Sequence, residues 1–164
     1  MYLYIITGPA GAGKNTIASA FAKHRDKCAV IDVDLVRWMI IQPHKASWDG
    51  EEGIKQQQLG VMNTCMLTRS FIKEGYDVII TDWISNETAR LYKDELQEYN
   101  SKIILLLPTY EEILKRNKIR PPRLKSAEIK MTYDVQTQLT LYDKKIDNSR
   151  LTPEQVVEIL AQKS

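Results

Sequence analysis

Three glycines and a lysine stand at fixed spacing near the start of the chain, where they could bind phosphate groups. The segment reads Gly-Pro-Ala-Gly-Ala-Gly-Lys-Asn-Thr from Gly8 to Thr16. Glycine permits backbone turns that point several amide N–H groups at one anion. A helix after the loop would aim its positive end at the same point, and the Lys14 ammonium can follow the β- and γ-phosphates. The pattern predicts a P-loop that binds ATP or a similar nucleoside triphosphate through Gly8, Gly11, Ala12, Gly13, Lys14, Asn15 and Thr16.

The residue after the lysine departs from the usual P-loop pattern. Ser or Thr commonly stands there and places its hydroxyl on Mg²⁺. In this chain the position is Asn15, and a hydroxyl comes one residue later, at Thr16, so both residues are predicted on the metal side. Either the Asn15 amide oxygen contacts the metal, or Mg²⁺ is held mostly through water. Weak Mg²⁺ binding is therefore an open alternative.

Carboxylates follow two of the predicted strands. Asp32 and Asp34 come after an apolar run, and Asp82 closes the run at 77–81. Ligands of open parallel sheets bind beyond the carboxyl ends of the strands, and a spacing of two puts Asp32 and Asp34 on one side of an extended segment. Phosphoryl transfer uses one carboxylate at the acceptor hydroxyl and others near the metal. We assign Asp34 as the base, and Asp32 and Asp82 to the metal side. The alternatives are a helix N-cap at Asp34 and a solvated strand end at Asp82.

A basic segment runs from Lys115 to Lys130, with seven Lys and Arg residues against the single acid Glu128. A cationic loop between two helices could close over the triphosphate, exclude water and stabilise charge in the transition state. We assign this role to Arg120 and Arg123. Arg116, on the preceding helix, could lay its planar guanidinium over the adenine. The alternative is an exposed basic helix end.

The stretch between the second and third strands holds the candidates for binding a phosphoryl acceptor. They are Arg37, Trp38, Trp48 and the glutamines at 56–58, with Trp83 as a further candidate. Tryptophan and glutamine could line a pocket for a ring or a sugar, and Arg37 favours an anionic acceptor. The alternative is that the tryptophans only pack helices together.

Short apolar runs alternate with longer helical patterns along the chain. Strands are predicted at 2–7, 28–32, 77–81 and 102–107, with a weaker one at 144–147. Helices are predicted at 13–23, 51–74 and 87–98, and two more begin at capping boxes on Thr109 and Thr152. This alternation predicts an α/β layer fold with a parallel sheet, whose strand order the pattern leaves open.

Composition narrows the function classes. The 164 residues predict one domain over 1–164, and a net charge of +2 argues against nucleic acid or a membrane surface as partner. No apolar run approaches the roughly 20 residues needed to cross a bilayer. Two widely separated cysteines and two histidines argue against a zinc site. The two cysteines are predicted to be buried thiols in a reducing compartment, which indicates a cytoplasmic location.

The P-loop, the Asp32-Val33-Asp34 sequence and the basic segment together resemble the small P-loop kinases. These include shikimate kinase, gluconate kinase, chloramphenicol phosphotransferase and the nucleoside monophosphate kinases. The resemblance implies a three-layer P-loop NTPase fold: a five-stranded parallel sheet in the order 2-3-1-4-5, helices on both faces and a short basic lid. It also implies ATP and Mg²⁺ as cofactors, with the adenine near Asn148 and Arg116 on its opposite side. Asp34 would face the acceptor hydroxyl, and Arg37 would hold an acid group of the acceptor.

The predicted function is that of an ATP-dependent phosphotransferase, a kinase of a small hydroxylated molecule. Its partner would be a small-molecule phosphoryl acceptor, and its catalytic residues Lys14, Asp34, Arg120 and Arg123. One alternative is a nucleoside monophosphate kinase, whose acceptor is a phosphate and needs no base. The other is a protein that binds nucleotide without transfer, for which Asn15 is the main support.

Overall fold

The computed structural model describes residues 1–119 and 124–162. Within these ranges five parallel strands pair in the order β2-β3-β1-β4-β5. The predicted strand order is confirmed. The strands are β1 (Leu3–Thr7), β2 (Cys28–Asp32), β3 (Asp77–Thr81), β4 (Ser101–Leu106) and β5 (Lys144–Ile146).

Helices cover both faces of this sheet. On one face Val61 and Tyr92 pack in the core cluster, and on the other Phe21 and Val156 do. Every residue of β1 and β3 is buried, which is why these central strands read as continuous apolar runs. The helices are α1 (Lys14–Ala22), α2 (Val33–Arg37), α3 (Gly50–Lys73), α4 (Asn86–Glu95), α5 (Tyr110–Ile119), α6 (Ser126–Thr137) and α7 (Pro153–Ala161).

The two predicted capping boxes differ in outcome. At Thr152 the box is complete, because the Thr152 N–H donates to Gln155 Oε1 and the Gln155 N–H donates to Thr152 Oγ1. At Thr109 only half forms, with the Glu112 N–H donating to Thr109 Oγ1 at 3.3 Å. The Glu112 carboxylate instead accepts from Arg116 Nε at 2.9 Å. An ion pair one turn along the helix has replaced the second capping bond.

A buried ring of hydrogen bonds fixes α6 to the ends of β1 and β3. Thr7 Oγ1 donates to Gln136 Oε1 at 3.0 Å, and Gln136 Nε2 donates to the Ile84 carbonyl at 2.7 Å. The Ile84 N–H closes the ring by donating to Thr7 Oγ1. Gln136 has no exposed surface, so these bonds are shielded from water. They position α6 directly beside the end of the strand that leads into the P-loop.

The cysteine prediction is right for one residue and wrong for the other. Both thiols are free, and Cys65 on α3 is buried. Cys28 is partly exposed because it begins the edge strand β2, which has a neighbour on one side only. Across 1–119 and 124–162, no helix has the length and apolar character that crossing a membrane requires.

Candidate nucleotide and acceptor site

A cleft of about 920 Å³ opens at the carboxyl ends of the strands. This volume lies within the range of ligand-binding pockets. Two predicted nucleotide contacts, Gly8 and Ala12, are buried in the loop itself and do not line the cleft. The predicted residues that do line it are Gly11, Gly13, Lys14, Asn15, Thr16, Asp32, Asp34, Arg37, Trp38, Trp48, Asp82, Trp83, Arg116 and Asn148.

The glycines of the P-loop are required by its geometry. Gly11 and Gly13 have φ values of 87° and 90°, in the left-handed region that side chains disfavour. At Gly8 a Cβ atom would overlap the Leu106 carbonyl oxygen, so the loop passes too close to β4 for any other residue. Lys14 Nζ donates to the Gly8 carbonyl at 2.9 Å, which holds the ammonium over the loop.

The two acids after β2 do not lie on one extended segment, as the sequence had suggested. The chain turns into α2 at Val33, and Asp32 is the N-cap: its Oδ1 accepts from the Asp34 N–H at 3.1 Å. The capping role therefore belongs to Asp32, and Asp34 is an exposed residue of the first turn. This arrangement leaves the Asp34 carboxylate available in the cleft.

Asn15 and Asp32 form a direct contact in front of the P-loop. Asn15 Nδ2 donates to Asp32 Oδ2 at 2.6 Å, and both residues line the cleft. Because the amide nitrogen is engaged, the amide oxygen is the Asn15 atom that could face a metal. Thr16, the other predicted metal residue, is exposed one position further along α1.

The acidic residues fit a magnesium ion held jointly with nucleotide phosphates. In the part of the chain that the structure describes, no group of three or more His, Cys, Asp or Glu side chains could hold a metal alone. Mg²⁺ characteristically binds through one or two carboxylates together with substrate phosphates and water. Asp32, Asp82 and the Asn15 amide match that requirement, whereas they would make a poor site for a permanently bound metal.

Asp82 is not a solvated strand end, because it is buried and each of its carboxylate oxygens accepts a hydrogen bond. Its Oδ2 accepts from the Tyr92 hydroxyl at 2.8 Å, and its Oδ1 accepts from the Trp83 N–H at 2.7 Å. Burial raises the pKa of Asp82 to about 7, partly offset by the bond from Tyr92 and raised further by the nearby Asp34 charge. A bound cation would favour the ionised carboxylate.

Arg116 and Asn148 bind the P-loop directly. Asn148 is buried, and its Nδ2 donates to the Ala12 carbonyl at 2.8 Å. Arg116 donates to the same carbonyl at 3.3 Å and to the Asn148 carbonyl at 2.9 Å, while Glu112 holds its Nε. The guanidinium is thus fixed between α5, the P-loop and the segment after β5. The predicted contact of Arg116 with adenine stays a prediction.

An irregular segment at 38–49, here called the acceptor loop, forms the far wall of the cleft. Gln56 on α3, only 4% exposed, fixes this loop. Its Oε1 accepts from the Lys45 N–H at 2.9 Å, and its Nε2 donates to the Pro43 carbonyl at 2.6 Å. Gln56 was expected to line the pocket. It instead supports the loop from behind, since both ends of its amide are used by backbone groups.

Arg37 also supports the acceptor loop. Its guanidinium donates to the Lys45 carbonyl at 3.1 Å. The aliphatic part of the side chain crosses α3 at Gly60, where a Cβ atom would come within 2.7 Å of Arg37 Cγ. Its Nε is buried and has no hydrogen-bond partner among the described residues. Part of the charge predicted to meet an anionic acceptor is therefore engaged with the protein.

Sequence reasoning missed Tyr92 and His44. Tyr92 is one residue of an amphipathic helix, and nothing local indicates that its hydroxyl reaches Asp82. His44 stacks on Trp38 with the ring centroids 4.7 Å apart, in a loop that has no periodic pattern. The predicted lid arginines, Arg120 and Arg123, lie outside the described residues.

Comparisons with known proteins agree with this architecture. No family model matches the chain, and no curated protein matches it significantly. Solved structures do match, over nearly the whole chain. The Deinococcus radiodurans tunicamycin resistance protein has a TM-score of 0.72 at 17% identity, covering 98% of this chain and 94% of its own.

Two kinases show the same degree of similarity. A sugar kinase from a Janibacter species has a TM-score of 0.71 at 18% identity, covering 98% of this chain and 92% of its own. Shikimate kinase from Bacteroides thetaiotaomicron has a TM-score of 0.68 at 18% identity, covering 97% of this chain and 96% of its own. The structural neighbours are small kinases, and the resemblance drawn from the sequence is confirmed for the fold. Identities this low carry no information about the substrate.

Proposed function

We propose that this chain is an ATP-dependent kinase that phosphorylates a hydroxyl group of a small molecule. The observation that carries the proposal is the position of Asp34, whose exposed carboxylate lines the same cleft as Lys14 and the P-loop. Phosphoryl transfer requires the acceptor hydroxyl to lie between a proton acceptor and the phosphates. The similarity of the fold to shikimate and sugar kinases supports the proposal.

Each group of cleft residues has a separate role in phosphoryl transfer. The loop amides and Lys14 bind the β- and γ-phosphates. Asp34 accepts the proton of the acceptor hydroxyl as that oxygen bonds to the γ-phosphorus, and the bond to the β,γ-bridging oxygen breaks to release ADP. Magnesium bound through the phosphates, with Asp32, Asp82, Asn15 and Thr16 on the protein side, would neutralise charge on the transferred group.

The remaining assignments concern the ends of the nucleotide. Arg120 and Arg123 stabilise the negative charge that is spread over the phosphoryl group during transfer. Arg116 and Asn148 hold the nucleotide from the side of α5. Both are already fixed to the Ala12 carbonyl, so any base that contacts them meets a rigid surface.

The test is transfer of labelled phosphate from ATP to a panel of sugars, hydroxy acids, nucleosides and aromatic alcohols. With an acceptor identified, Asp34→Asn is expected to lower kcat by about 10²-fold or more, in the range of general-base loss. ATP affinity should change little. Asp26→Asn, which alters an exposed acid after α1 and outside the cleft lining, is the matched control. Undiminished transfer by Asp34→Asn would favour a nucleoside monophosphate kinase.

A non-catalytic nucleotide-binding protein is the second candidate, favoured by one contact. Asn15 replaces the hydroxyl that usually meets Mg²⁺, and its amide is tied to Asp32. If this weakens metal binding, Asn15→Ser should lower the Mg²⁺ concentration needed for half-maximal ATP binding, measured by calorimetry. An unchanged Mg²⁺ dependence would remove the support for this candidate. A wild-type chain that binds ATP and labels no acceptor would favour it over the kinase.

A further inference from the structure

Every tryptophan of this chain lines the cleft. The sequence contains three, and Trp38, Trp48 and Trp83 all face this one cavity. Trp38 is 65% exposed and Trp48 51% exposed. Trp38 stacks on His44, and Trp48 meets Trp83 edge-on with centroids 6.2 Å apart. Exposed aromatic surface concentrated in a concave site is the kind of surface that a ligand covers.

Several polar groups on the same side of the cleft already have partners within the protein. Arg37 donates to the Lys45 carbonyl, and both oxygens of Asp82 accept hydrogen bonds from within the protein. Ser47 is only 8% exposed. Among the described residues this leaves Asp34 as the exposed carboxylate. A ligand with hydroxyls all round its ring would give up water at several of them without gaining partners, which weakens binding.

Trp38, Trp48 and Trp83, here called the aromatic wall, rest on a backbone and a Trp83 ring that hydrogen bonds hold in place. Gln56 bonds the backbone of the acceptor loop at Lys45 and Pro43. Trp83 is fixed by donation from its Nε1 to the Thr132 carbonyl at 3.2 Å. A surface ordered in this way costs less conformational entropy on binding. Aromatic rings gain extra stabilisation from offset-stacked or edge-to-face contacts with one another, so this surface favours an aromatic partner.

We infer that the phosphoryl acceptor carries a flat aromatic or heteroaromatic ring with its reactive hydroxyl on a short side chain. The ring lies against Trp38 and Trp48, and the hydroxyl reaches Asp34. This inference rests on the proposed function for the phosphoryl transfer, although ring recognition by the cleft can be measured without it. It distinguishes this site from one built for an open-chain sugar acid or a polyol.

The experiment compares alcohols that differ only in the ring. We would titrate the full chain, with Mg²⁺ and a non-hydrolysable ATP analogue present, with 1-phenyl-1,2-ethanediol and with 1,2-propanediol, using glucose and gluconate as polar references. Intrinsic tryptophan fluorescence reports only on the cleft, since all three indoles line it. The phenyl compound is expected to bind at least about tenfold more tightly than its methyl counterpart, the scale of one good stacking contact.

Variants test whether the preference comes from the aromatic wall. Trp38→Ala is expected to reduce the tenfold preference to about threefold or less, and Trp38→Phe to retain most of it. Met66→Ala removes an equally exposed apolar side chain, 64% exposed on α3 and outside the cleft lining, and should leave the preference unchanged. An equal effect of Met66→Ala would show that general apolar loss is responsible, and would overturn the inference.

The outcomes separate this inference from the proposed function. If the propanediol, glucose or gluconate binds as tightly as the phenyl compound, the inference about the ring is wrong, whether or not a kinase activity is found. If ring compounds bind preferentially but no member of an aromatic alcohol panel is ever labelled from ATP, ring recognition stands and the kinase proposal fails. Labelling of an aromatic alcohol that depends on both Asp34 and Trp38 supports both.

Discussion

Two glycines of α3 give a sharp test of how the acceptor loop is supported. A Cβ atom at Gly53 would overlap the carbonyl oxygen of Ala46 and lie 3.2 Å from its carbonyl carbon. These are backbone atoms of the loop that carries Trp48, so they can yield only if that loop moves. At Gly60, seven residues further along the same helix, the added atom would lie 2.7 Å from Arg37 Cγ. The Arg37 side chain can shift to relieve this contact, whereas the Ala46 backbone cannot do so without moving its loop.

The expected magnitudes follow from that difference. Each Gly→Ala change gains about 1 kcal/mol from helix propensity. At Gly53 the overlap costs about 1–3 kcal/mol, as overpacking generally does, so the net loss of stability should reach up to about 2 kcal/mol. At Gly60 a partial shift of Arg37 should leave the net change within about 1 kcal/mol of zero. For a chain of this size, each kcal/mol corresponds to about 2–4 °C in Tm.

Urea denaturation followed by far-UV circular dichroism measures the free energies of unfolding. The tryptophan emission of each native variant reports on the cleft. We expect Gly53→Ala to be the less stable variant and to shift the native emission, because Trp48 moves with its loop. Gly60→Ala should keep the wild-type emission at Trp48. The reasoning is refuted if Gly53→Ala is at least as stable as Gly60→Ala and its native emission is unchanged.

Three further predictions concern buried polar contacts. Burial raises the pKa of Asp82 in the folded protein to about 7, whereas in the unfolded chain this carboxyl releases its proton near pH 4. The free energy of unfolding should therefore fall as the pH rises from about 4 to about 7. Asp82→Asn should remove this pH dependence from urea denaturation curves. Gln56→Leu should cost about 2 kcal/mol or more, since it leaves two backbone groups without partners, and hydrogen exchange at the Lys45 amide should accelerate. Asp77→Ala should lower stability by about 1–3 kcal/mol in thermal denaturation, because it removes the acceptor for Arg25; a change below about 0.5 kcal/mol would contradict this.

The sequence allowed the strands and most helices to be predicted because their signals are local, whereas the strand order came from the resemblance to the small P-loop kinases. The bounds of β2 and β3 match the predicted strands to the residue, since each is an apolar run with an acid at its end or directly after it. The P-loop was equally visible, because backbone geometry demands glycine at fixed positions. The short helix α2 was predicted only as an alternative, with Asp34 as its N-cap, whereas the N-cap is Asp32. Five residues are too few to show a periodic pattern, and only the bond from the Asp34 N–H to Asp32 reveals where the helix begins.

The details of the site depend on partners far apart in the chain, which no local pattern encodes. Arg116 reaches the Ala12 carbonyl across 104 positions, and Gln56 reaches back to an irregular loop. The side chains involved are ordinary for exposed helical positions. Their residue types therefore suggested that they contact solvent or a ligand. Instead, they form hydrogen bonds with backbone carbonyls and amides of distant segments.

The helices α5 and α6, which both include part of the basic segment, are attached to the body of the protein by separate means. Arg116 ties α5 to the P-loop, and Gln136 ties α6 to the ends of β1 and β3. Neither attachment relies on the chain that joins the helices between 119 and 124. Replacing residues of that connection should consequently leave both attachments intact, provided that Asn117 keeps its bonds to the N–H and the carbonyl of Leu124.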